Sequence, residues 1–109
     1  MITRYALFEG SIKPSQHDAF RDYVNQTLIP LWTQFDGAQE VRVMFGEERD
    51  EGAPEFPLIL AISYPDQAAL DRAMACDARF ASRDATKGLL AMFDGRVHHH
   101  VTSAQNFTL

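Results

Sequence analysis

Apolar residues recur along this chain with two different periods, and the switches between them divide it into elements. Residues 2–9, ITRYALFE, mix β-branched and aromatic side chains and stop at Gly10, which predicts a strand. After the break at Lys13-Pro14-Ser15 the period changes. Phe20, Tyr23, Val24, Thr27, Leu28, Leu31, Trp32 and Phe35 recur every three or four positions and predict one helix about 20 residues long. Ser15 followed by Asp18 resembles a cap at its start. Pro30 lies inside this pattern and has no amide for the carbonyl of Gln26, so a kink, or two pieces meeting at Ile29-Pro30, is expected.

Asp36-Gly37 closes the helix. Residues 39–46 then alternate, with Val41, Val43 and Phe45 on one face and Glu40, Arg42 and Met44 on the other. The acidic stretch 47–54 reads as a solvated loop. Residues 56–64, FPLILAISY, predict a third strand that is apolar on both faces. Leu58, Leu60, Ile62 and Tyr64 point one way; Ile59, Ala61 and Ser63 point the other. Asp66 caps a helix whose apolar face is Ala69, Leu70, Ala73 and Met74, and Asp77 caps a second piece over 78–92. In that piece Phe80, Ala81, Leu89 and Leu90 are the expected buried side, with Phe93 following. Asp94-Gly95 reads as a tight turn into a last strand, 96–103.

The order is β-α-β-β-α-β. Right-handed crossovers place the first and third strands at the centre of a four-stranded antiparallel sheet and put the helical segments on one face, a ferredoxin-like α+β fold. The two-faced third strand then requires a second cover. A monomer leaves apolar surface wet at about 25 cal/mol per Å², and a twofold partner laying its own sheet against that face removes it. The reading is a single domain, 1–109, that works as a homodimer.

The second half, YPDQAALDRAMACDARFASRDATKGLLAMFDG, resembles the strand, short helix, capped break, longer helix and final strand of the dimeric α+β barrel superfamily. EthD-like proteins, antibiotic-biosynthesis monooxygenases, stress-responsive A/B-barrel proteins and muconolactone isomerases belong to that group. Ala68–Ala75 and Met92–Asp94 are the stretches most similar to the EthD-like pattern. Some of these families carry a histidine in or just after the first helix. Here that region reads IPLWTQ, and His17 lies at the helix start instead, so the resemblance carries no catalytic residue over. The group hosts several unrelated activities, and the resemblance implies fold more than function.

Composition narrows the partners. The net charge is −5 and no Lys/Arg run exists, which argues against nucleic acid and against an anionic membrane surface. The longest apolar run is too short to span a bilayer. The opening MITRYALFEG has no signal-peptide character, and the one cysteine, Cys76, cannot pair internally, so the expected compartment is the cytoplasm. Eight Phe, three Tyr and one Trp are a large aromatic supply for 109 residues and favour a bulky core or an apolar pocket.

The candidate chemistry centres on His98, His99 and His100. On a strand, His98 and His100 share the polar face with Arg96 and Thr102, while His99 joins Val97 and Val101. Histidine titrates near neutral pH and is the commonest general base. The competing reading is edge or interface histidines with satisfied hydrogen bonds. Arg42 is the candidate for steadying an anionic or enolate oxygen, unless it pairs with a neighbouring acid. Tyr5, Tyr23, Trp32 and Tyr64 are the candidate substrate-contacting aromatics, in a slot opened where the kinked helix stands off the sheet. Three functions follow. One is a small cofactor-free enzyme, monooxygenase- or isomerase-like, acting on an apolar oxygen-bearing metabolite in a degradation or biosynthesis pathway. The second is a non-catalytic ligand-binding or accessory subunit. The third binds haem or a metal through the histidines. No cofactor and no metal ligand set is assigned, because a metal site needs ligands that are not adjacent in sequence.

Overall fold

The computed structural model describes residues 1–109 and has the expected order of elements. Strand β1 (Ile2–Ile12) leads into helix α1 (His17–Tyr23), a π-helical turn (Val24–Leu28) and helix α2 (Ile29–Trp32). Strands β2 (Glu40–Phe45) and β3 (Leu58–Tyr64), helices α3 (Gln67–Met74) and α4 (Asp77–Leu90), and strand β4 (Phe93–Ser103) follow. The sheet order is β2-β3-β1-β4, antiparallel throughout, with β1 and β3 central as expected.

The register sorts the side chains by face. Arg4, Ala6 and Phe8 of β1 point the same way as Leu58, Leu60, Ile62 and Tyr64 of β3, and that side meets the helices. Phe20, Val24, Leu28 and Trp32 descend on it from the first helical run, and Ala69, Leu70, Ala73 and Leu89 from α3 and α4. The opposite face carries Tyr5, Leu7, Ile59, Ala61 and Met44 and no helix covers it. Near one end of the β1–β3 pairing Thr3 and Ser63 are opposite each other in register, and their hydroxyls share a 2.8 Å hydrogen bond.

The π turn is the structural answer to Pro30. Its Ile29 amide donates to the Val24 carbonyl, five residues back, which widens the helix by one residue just before the proline. The end of the run is then sealed by side chains: Thr33 Oγ1 donates to the Ile29 carbonyl (2.9 Å) and Gln34 Nε2 to that of Pro30 (2.7 Å).

Several expectations are corrected. The helix starts at His17, not at Ser15, because Ser15 adopts a left-handed φ of 69° and Gln16 takes the cap position without a side-chain bond. It stops at Trp32, leaving Phe35 in the following turn, though still buried. Asp66 does cap α3, accepting from the Ala69 amide at 2.8 Å. The cap of α4 is Cys76, and Asp77 is its first residue. Gly10 does not end β1, nor does Asp94-Gly95 turn the chain. The strands continue past both glycines, which face each other in register, and a Cβ on Gly95 would strike the Glu9 carbonyl oxygen. Glycine is needed here for close approach and not for a turn. In α4, Phe80, Ala81 and Leu90 are exposed, and the inward stripe is the small residues Ala78, Ser82 and Ala85 followed by Leu89. Small residues let α4 lie close to the π turn and α2, and just before the π turn Tyr23 packs over Gly88 and donates to the Ala85 carbonyl at 2.8 Å.

Candidate functional site

Between the helix face of the sheet and the helices lies a slot of about 280 Å³. Its position follows from local sequence. Ala6 is the small residue in the middle of central strand β1, flanked by Leu60 and His99 in register, so the sheet has a dip there. The first helical run stops at Trp32, and α3 breaks from α4 at Cys76, so no long side chain fills the space from above. Trp32, Phe35, Leu60 and Ile62 form apolar walls, with Phe8, Met74, Leu90 and Val97 around them.

The remaining lining is cationic and hydroxylic. Arg4 reaches in from β1, and Arg79, Ser82, Arg83 and Thr86 from one side of α4. No Asp or Glu lines the slot, although the chain has 15 acids. Burial, and after it the charge of Arg79, press the Arg4 guanidinium below its usual pKa. Ser82 and Thr86 spend their hydroxyl protons on the carbonyls of Arg79 and Ser82. Tyr64 is fully buried against the slot, and its hydroxyl has no hydrogen-bond partner. Burial pushes that phenol up to about 12, so it stays a proton donor at any working pH.

The three histidines separate as strand geometry requires. His99 lines the slot beside Arg4. Partial burial first, then the charges of Arg4, Arg79 and His98, lower its pKa, so the imidazole is neutral at pH 7 and can accept a proton. His98 and His100 lie on the opposite, uncovered face. There His98 Nε2 donates to Glu9 Oε1 at 2.7 Å, and Arg96 Nε reaches the same oxygen at 3.3 Å. The His98 contact is the main reason Glu9 titrates below its ordinary value.

Of the residues singled out from the sequence, the slot brings together His99, Trp32 and Tyr64. It does not include His98, His100, Arg42, Tyr5 or Tyr23. Arg42 is exposed on the uncovered face, 4.0 Å from Glu40, for the reason alternation gives: it sits between Val41 and Val43, which face the helices. Tyr5 pairs with His100 on that same uncovered face. Tyr23 is committed to the contact between α1 and α4. Sequence reasoning missed Arg4, Arg79 and Arg83. The signal was present: Arg4 shares the face of Ala6 and Phe8, and 79, 82/83, 86 and 90 recur at helical spacing beside the small-residue stripe. No group of three or more His, Cys, Asp or Glu side chains converges on a metal-holding geometry, and no helix is long and apolar enough to cross a membrane.

No family model matches the chain. A search of the curated proteins finds no match. Solved structures do match. An EthD (ethyl tert-butyl ether D) family protein from Bacillus halodurans superposes with a TM-score of 0.79 at 22% identity, covering 96% of this chain and 99% of that one. A mutant form of SnoaB, a cofactor-independent oxygenase from Streptomyces nogalater, gives 0.62 at 17% identity, with 97% and 94% covered. An antibiotic biosynthesis monooxygenase gives 0.64 at 18% identity, with 97% and 100% covered. These likenesses span nearly the whole chain and establish its fold: the α+β, ferredoxin-like fold of the EthD-like and antibiotic-biosynthesis-monooxygenase-like proteins.

Proposed function

We propose that this protein binds a small, largely apolar, oxygen-bearing organic molecule in the slot between sheet and helices, and that His99 is the group there that accepts a proton. The observation that carries this reading is the slot itself. Apolar walls with a few convergent polar groups are the usual form of a small-ligand cavity, and 280 Å³ lies at the small end of such cavities. A neutral imidazole beside guanidinium groups is the equipment for taking a proton from carbon or oxygen while the resulting negative charge is held. That supports a cofactor-free catalyst over a passive binder, and the cofactor-independent oxygenase with the same fold is compatible with it.

The working form is a homodimer. Tyr5, Leu7, Ile59 and Met44 form an apolar sheet face without a helix over it, and a second copy laid face to face would cover all four. His98, His100 and Arg42 then belong to the contact between subunits and not to the chemistry.

The binding test is a thermal-shift screen with cyclic ketones, phenols and lactones, run on the wild type and on Val97→Phe, which narrows the slot from its rim. A ligand at 100 times its Kd stabilises by about 2.7 kcal/mol, a rise of several degrees for a domain of this size. Shifts that vanish in Val97→Phe support the slot. Shifts that persist unchanged in that variant place binding elsewhere and refute it.

A further inference from the structure

We infer that the slot selects an anionic ligand, an apolar carbocycle carrying a carboxylate, with the carboxylate held by Arg4 and Arg79. This deepens the reading of the slot as a ligand site and rests on it. Two observations converge. Arg4, Arg79 and Arg83 all line a cavity that contains no acid, and none of them is in an ion pair anywhere in the protein. The other basic residues without an ion pair, Lys13, Arg21 and Arg72, do not line this slot. The charges of Arg4 and Arg79 disfavour each other, so the empty slot holds an uncompensated cationic pair.

A carboxylate supplies the missing negative charge. Guanidinium groups bind planar carboxylates through two parallel hydrogen bonds, so Arg is the residue type suited to this task. Trp32, Phe35 and Ile62 line the same slot and would take the hydrocarbon part.

Trp32 is the one tryptophan of the chain and lines the slot, so its emission reports occupancy directly. The experiment titrates the full-length protein with cyclohexylacetate and with its neutral isostere cyclohexylacetamide, neither of which absorbs in the tryptophan band. The expected result is at least tenfold tighter binding of the acid, weakened by salt, and lost in Arg79→Gln and Arg4→Gln but largely kept in Arg79→Lys. Arg83→Gln, on the exposed rim, provides a folded variant with an intermediate loss if the buried Arg4 change destabilises the protein. Equal affinities for acid and amide overturn the anion preference and leave the slot as a neutral-ligand site. No response of Trp32 or of the melting temperature to either compound overturns both.

Discussion

Two tyrosines in this protein should respond to the same substitution with opposite signs. Tyr64 is wholly buried and its hydroxyl is unpartnered, with essentially none of the oxygen's surface reachable by water. Leaving a buried donor unsatisfied costs about 1–3 kcal/mol. Tyr64→Phe removes that penalty and leaves a void of roughly 10–15 Å³, which at ~24 cal/mol per Å³ amounts to about 0.3 kcal/mol. The variant should therefore be more stable than the wild type by about 1–2.5 kcal/mol, with the melting temperature raised by about 4–8 °C per kcal/mol. Tyr23→Phe deletes a hydroxyl that donates to the Ala85 carbonyl at 2.8 Å, in a helix contact with no slack above Gly88. It should lose about 0.5–1.5 kcal/mol. The assay is urea unfolding followed by Trp32 emission, at one fixed protein concentration so that dimerisation does not enter the comparison. If Tyr64→Phe is destabilised by about 1 kcal/mol or more without ligand, its hydroxyl has a partner and the argument from the orphan donor fails.

Further expectations concern the uncovered face, the imidazole and the glycine crossing. Leu7 pairs with Ile59 and His98 in the middle of the uncovered face; Leu7→Asp should convert a dimer to a monomer in sedimentation equilibrium, and a wild type that sediments as a monomer at micromolar concentration removes the case for a face-to-face pair. The folded-state pKa of His99 lies below 6.5, so the unfolded chain takes up the proton first as pH falls. Stability contributed by neutral His99 is complete above pH 6.5 and is lost as pH drops through the lowered folded value. His99→Gln should flatten that part of the stability curve, and an unchanged curve would show that the imidazole is not held in the slot. Gly95→Ala drives a methyl group into the Glu9 carbonyl oxygen and should cost about 3 kcal/mol or more, read as a lower urea midpoint; a cost below ~1 kcal/mol would mean the strands separate more easily than their register implies.

Periodicity made the element order, the central pair of strands and the side of each strand legible before any coordinates, because a strand's side chains alternate strictly and a helix's apolar stripe repeats every three or four residues. Hence His99 was separable from His98 and His100, and Leu58, Leu60, Ile62 and Tyr64 from Ile59, Ala61 and Ser63. Element ends were less legible. Gly10, Gly95 and Ser15 were read by their commonest local roles, whereas their actual roles depend on which strand lies opposite and on one left-handed φ. Phe80 is apolar and reads as buried, yet α4 turns Ala78, Ser82 and Ala85 inward, since close contact with the π turn and α2 rewards small size over greasiness.

The chain alone thus determined what each residue's neighbours along its own element would be, and through that the α+β architecture. Only the tertiary structure decided which faces meet. Arg4 and Arg79 are 75 positions apart in sequence and belong to different layers, and their meeting beside Tyr64 depends on the sheet order and on where α4 crosses it. Local propensity carries no information about such a distance, because it acts over a turn of helix or a pair of strand residues. A binding slot arises from the space that separate elements leave between them once packed.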